Sequence, residues 1–81
     1  MENRIAVVGI VIFHREESAK KVNGILSDFA HIIVGRMGIP YKEKGISVIS
    51  LIVDGTTDEI GALTGKLGSI SAVKVKSAVT I

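Results

Sequence analysis

Few side chains in this 81-residue sequence could do chemistry, and their spacing decides what that chemistry would be. Two histidines, His14 and His31, are its only imidazoles, and it has no cysteine. A zinc-type site needs three or four ligands at defined spacing, and neither histidine lies in an H-x-H or H-x-x-x-H pattern. Asp54, Asp58 and Glu59 form an acidic cluster that could hold a hard cation. Helix capping accounts for the same residues, because Thr56-Thr57-Asp58-Glu59 fits the S/T-x-x-E capping box. Arg36, Tyr41, Lys42, Glu43 and Lys44 gather around what reads as a long connection, the sort of segment that carries binding residues on a rigid scaffold. His14-Arg15-Glu16-Glu17 is a polar turn where the first apolar run ends. No serine is visibly coupled to a histidine and a carboxylate, and without a cysteine no thiol nucleophile exists. The expectation is a protein that is not an enzyme, with no catalytic residues, no metal ligands and no cofactor. His14, Arg15, Arg36 and Tyr41 are its candidate ligand-binding residues.

Composition narrows the class further. Residues 1–81 read as a single domain, with 47% hydrophobic residues but only three aromatics, Phe13, Phe29 and Tyr41. Ten basic against eight acidic side chains give a net charge of +2. The basic residues are scattered and form no nucleic-acid stripe, so direct nucleic-acid binding is not expected. The first apolar run, Ile5 to Phe13, is far short of the ~20 residues a membrane-spanning helix needs. It also lacks a signal-peptide cleavage site. No membrane association and a cytoplasmic location are therefore expected.

The elements that must position these residues follow from periodicity. Ile5–Phe13 is apolar on both alternating faces, as a central strand would be. Gly9 within it suggests a bend or a close approach by another backbone. Glu16 and Glu17 open an amphipathic helix whose apolar stripe is Ala19, Val22, Leu26 and Phe29. A second strand over Ala30–Met37 follows, ended by a Gly38–Gly45 connection that Pro40 and two glycines punctuate. A third strand, Ile46–Val53, is again apolar on both faces and stops at Asp54-Gly55. The capped second helix carries Ile60, Leu63, Thr64 and Leu67 on one stripe, with Gly68 as its stop. Gly61 and Gly65 lie inside it at ~1 kcal/mol each, which predicts close packing as compensation. A last strand over Ser71–Ile81 alternates valines with Lys74 and Lys76, as a protected edge does.

The order β-α-β-β-α-β is the ferredoxin-like α+β sandwich: a four-stranded antiparallel sheet with two helices on one face. Right-handed crossovers make the first and third strands central and the second and fourth the edges. The face without helices then presents valine and isoleucine to water. A patch of that size normally marks an interface. The strand pattern thus predicts a homo-oligomer, dimer or tetramer, formed through the open sheet face or the edges.

Arg36-Met37-Gly38-Ile39-Pro40-Tyr41, followed by the segment Gly45 to Leu63, resembles the iron-only ([FeFe]) hydrogenase system regulators. The likeness extends over nearly the whole chain, from VVGIVIF to VKVKSA. It implies an ACT-like fold, similar also to the C-terminal nickel-sensing domain of nickel-responsive repressors. It further implies a non-enzymatic regulatory module that binds a small effector and is linked to the iron-only hydrogenase system. Two departures stand out. Where the nickel-binding domain places metal ligands, this chain has Leu51, Ile52, Val53 and Asp54. The turn after the first strand, His14-Arg15-Glu16-Glu17, lacks the Asp, Pro and Gly common beside the ligand in ACT domains. The alternatives are a small ferredoxin-like enzyme of the acylphosphatase or dimeric α+β barrel type, for which Arg15 would be the anion contact, and a metal-sensing or metal-delivery module.

Overall fold

The computed structural model describes residues 2–13 and 16–81. It contains β1 (Arg4–Phe13), α1 (Glu16–Asp28), β2 (Ile33–Tyr41), β3 (Ile46–Gly55), α2 (Thr57–Gly68) and β4 (Val73–Val79). Short 3-10 turns at Ala30–Ile32 and Lys42–Lys44 lead into and out of β2. The sheet order is β2-β3-β1-β4, and every neighbouring pair is antiparallel. The strands that are apolar on both faces, β1 and β3, occupy the centre, as the sequence requires.

Parity along each strand divides the sheet into two faces. Ala6, Val8, Ile10 and Ile12 of β1, with Ile49, Leu51 and Val53 of β3, form the floor of a buried core. Val22 and Leu26 of α1 and Ile60, Leu63 and Leu67 of α2 cover that floor. Both helices thus lie on one face. Ser18 is buried too, and its hydroxyl donates to the Ser71 carbonyl at 2.7 Å, tying the start of α1 to the loop before β4. On the helix surface, Lys21 and Glu17 pair at 3.8 Å.

Three local expectations are corrected. Gly38, Ile39, Pro40 and Tyr41 are strand rather than connection, and only Lys42–Gly45 turns the chain. Proline is tolerated there because β2 is an edge strand, and its missing N–H can face away from the ladder. Gly45 makes the turn at φ 67°, in the left-handed region that favours glycine. His31 belongs to the 3-10 turn ahead of β2, so the strand starts three residues later than its apolar run suggests. The third correction concerns α2. A Cβ built on Gly61 or Gly65 meets no atom within 4 Å, so close packing inside the protomer does not explain either glycine.

The last strand is shorter than its sequence pattern, but Thr80 N–H still donates to the Ile5 carbonyl at 2.8 Å. At its other end Ala72 adopts φ 62°, the one positive φ outside glycine among the described residues. Its carbonyl accepts from Phe13 N–H at 2.8 Å, which fixes that strained geometry against the end of β1.

Candidate functional site

The four candidate ligand-binding residues do not form one cluster. His14 and Arg15 lie outside the described residues. Arg36 and Tyr41 both sit on β2, but five positions apart, and odd and even residues of a strand face opposite ways. Arg36 pairs with the buried Leu51 and lies on the helix side. Tyr41 pairs with Ile46 and lies on the open side.

On the helix side, Arg36 reaches toward α1, and its guanidinium donates to Asn23 Oδ1 at 3.4 Å. Between them opens a groove of ≈ 450 Å³ with Leu26 and Ile33 as apolar floor and Asn23, Ser27 and Arg36 as polar rim. Such a mix of apolar wall and a few polar groups suits a small ligand. Arginine adds a planar donor fork that fits a carboxylate or phosphate. A second hollow of ≈ 190 Å³ continues on the other side of Arg36, past Gly38 and Pro40. Tyr41, on the opposite face, has Lys44 Nζ 6.0 Å from its ring centroid.

The head of α2 is a capping device. Glu59 N–H donates to Thr56 Oγ1 at 3.1 Å, and Thr56 N–H donates to Glu59 Oε1 at 2.9 Å, which closes the capping box. Glu59 Oε2 lies 3.1 Å from His31 Nε2, so one carboxylate joins the α2 terminus to the turn that feeds β2. The Thr56 backbone N–H holds the Glu59 carboxyl below the usual carboxylate range, and His31 lowers it further. The His31 ring stacks on Phe29 at 6.4 Å. Reading the chain as a sequence missed this pair, because 28 residues separate its members and no short motif links them. Among the described residues, no group of three or more His, Asp or Glu is placed to hold a metal ion. No described helix is long and apolar enough to cross a membrane.

Residues 4–77 match the model of the TM1266-like family, described as "Iron-only hydrogenase system regulator, putative". The chain belongs to this family. The TM1266 protein of Thermotoga maritima, described in its solved structure as uncharacterized, shares 39% identity with it. That match covers 99% of this chain and 100% of the other, with a TM-score of 0.97. The ACT domain of GTP pyrophosphokinase from Chlorobium tepidum is similar in fold, at TM-score 0.79 and 22% identity, covering 94% of this chain and 99% of that one. The C-terminal domain of the MgtC protein from Mycobacterium tuberculosis has TM-score 0.72 and 12% identity, covering 95% and 87%. At such identities these two show the fold alone, which is the ACT-like sandwich. No curated protein is significantly similar to the chain. For this TM1266-like chain, the resemblance carried by Arg36–Tyr41 and Gly45–Leu63 and the expected ferredoxin-like α+β fold both hold.

Proposed function

We propose that this TM1266-like protein is a non-enzymatic regulatory module of the iron-only hydrogenase system, which self-associates and responds to a small effector. The observation that carries the reading is the family match over residues 4–77 on an ACT-like sandwich. The groove beside Arg36 supports an effector site on the helix side, and its guanidinium favours an anionic ligand carrying a carboxylate or phosphate. His14 and Arg15, between β1 and α1 in the sequence, are the further contacts this reading assigns, whereas Tyr41 faces away from this groove. Self-association through the open sheet face or its edges, as a dimer or tetramer, completes it. Nucleic acid and membrane have no direct part in it, and the protein acts in the cytoplasm.

Deleting the coding gene in a host that carries an iron-only hydrogenase tests the regulatory link. The expected result is a changed hydrogenase transcript level or a changed yield of active enzyme, restored by the gene in trans. Unchanged transcript and activity would overturn the reading. For the site, calorimetric titration of wild type with a panel of carboxylate and phosphate metabolites should find a binder. Its affinity should fall in the Arg15→Ala and Arg36→Ala variants; equal affinity in both would remove the site from this position.

A further inference from the structure

The open sheet face is ordered in rows by the strand register. From β2 across to β4 they run Tyr41, Ile46, Phe13; then Ile39, Val48, Val11, Lys74; then Met37, Ser50, Gly9, Lys76; then Gly35, Ile52, Val7, Ala78. Asp54, Ile5 and Thr80 close the series. The large apolar side chains are well exposed, with Met37 at 64%, Ile39 at 55% and Ile52 at 47% of their full accessibility. Charge is confined to the rims: Lys74 and Lys76 along β4, and Asp54 at the last row. Lys74 lies with its Nζ 6.0 Å from the Phe13 ring centroid, which lays its stem along the face.

We infer that a second copy of this chain covers this face, the two sheets stacking so that β4 of each crosses β2 of the other. The inference rests on the self-association proposed above and says which surface and which orientation produce it. Area supports a stable pair. Four strands at ~4.8 Å and five rows at ~6.8 Å, the first and last row one strand short, give roughly 600 Å² of flat face per copy and about 1,200 Å² for two, before side-chain relief is added. That reaches the ~1,000 Å² a specific interface needs.

Charge selects the orientation. If the two-fold axis ran across the strands through the middle row, each β4 would lie over its own copy, setting Lys76 against Lys76 with Lys74 one row away, an unfavourable clustering of like charges. With the axis along the strands, between β3 and β1, the lysine stems instead pass over Met37, Ile39 and Tyr41 of the other copy, and their ammonium groups reach water at the rim. In that orientation the apolar β3 row positions meet the apolar β1 positions. Gly9 fits the same arrangement. A Cβ there would find only the Lys76 carbonyl at 3.9 Å, an ordinary contact, so nothing within the protomer demands glycine. Opposite it in the same row stands Ser50, and the two small residues let the stacked sheets close together at their middle.

The chain has no cysteine, so single cysteines are unique handles. Stacked sheets lie ~10 Å apart, and a bis-maleimide of matching reach is used on Met37→Cys, on Lys76→Cys and on an equal mixture of the two. The expected result is a covalent dimer in the mixture only, because like positions lie roughly 17 Å apart across three strand spacings and one layer. Dimer from Met37→Cys alone would overturn the orientation, and, without any from Lys76→Cys, would point to pairing of β2 edges. Light scattering of Ile52→Lys, checked for fold by circular dichroism, should show at least a halving of the wild-type mass. Val34→Lys, also exposed but beside the Arg36 groove, should leave it unchanged. Wild type at the mass of one chain would refute self-association itself. An Ile52→Lys assembly of wild-type mass would refute only this face.

Discussion

Replacing Gly61 and Gly65 by alanine separates intrinsic helix chemistry from packing. Both lie inside α2, both are exposed, and neither would bring a new Cβ within 4 Å of another atom. Only the backbone term then changes, and alanine is favoured over glycine in a helix interior by ~1 kcal/mol at most. Together the two substitutions should add about 1–2 kcal/mol. For a domain of this size each kcal/mol moves Tm by roughly 4–8 °C, so the double variant should melt about 4–16 °C higher. Thermal and urea unfolding followed by far-ultraviolet circular dichroism provide the assay, at one fixed protein concentration because assembly is linked to stability. The urea midpoint should rise with an unchanged slope. A lower Tm, or a smaller assembly by light scattering, would mean that the outer face of α2 is covered by a partner, and would refute this reasoning.

Other perturbations follow from the same geometry. Gly55→Ala would place a Cβ 3.2 Å from Ile32 Cγ2 and 3.3 Å from Glu59 Oε1. It should destabilise by about 1–3 kcal/mol in urea unfolding, since both neighbours are held in place. Ala72→Gly relieves a φ of 62° and should stabilise by up to ~1 kcal/mol, the strain removed exceeding the entropy glycine adds to the unfolded chain. The Glu59 carboxyl is held below its ordinary range in the folded state, chiefly by the Thr56 N–H. Its contribution is therefore present above the unfolded-state value and is lost as pH falls through the lower folded one. Urea midpoints measured across the acid range should fall more steeply for wild type than for Glu59→Gln, and equal slopes would refute the linkage.

The apolar runs of β1 and β3 revealed the centre of the sheet, because these two strands pair on both sides and supply the floor of the core. Thr56 and Glu59 were readable as a capping box because both partners lie within one turn. Pro40 misled for a physical reason: proline breaks a central strand, but at an edge its missing N–H costs nothing, so β2 runs on to Tyr41. That extension put Arg36 and Tyr41 on opposite faces, which spacing within a supposed loop could not disclose. The contact between His31 and Glu59 and the groove between Asn23 and Arg36 arise only when α1, β2 and α2 pack, so no local pattern announces them. Gly61 and Gly65 show the converse. Their spacing suggested a tight contact, yet within the protomer they face open space.

Native mass spectrometry of freshly isolated protein at micromolar concentration tests the central claim most directly. The account predicts an even-numbered homo-oligomer that carries a stoichiometric small anionic ligand or accepts one on titration. Single chains of 8.6 kDa with no ligand retained or taken up would contradict it.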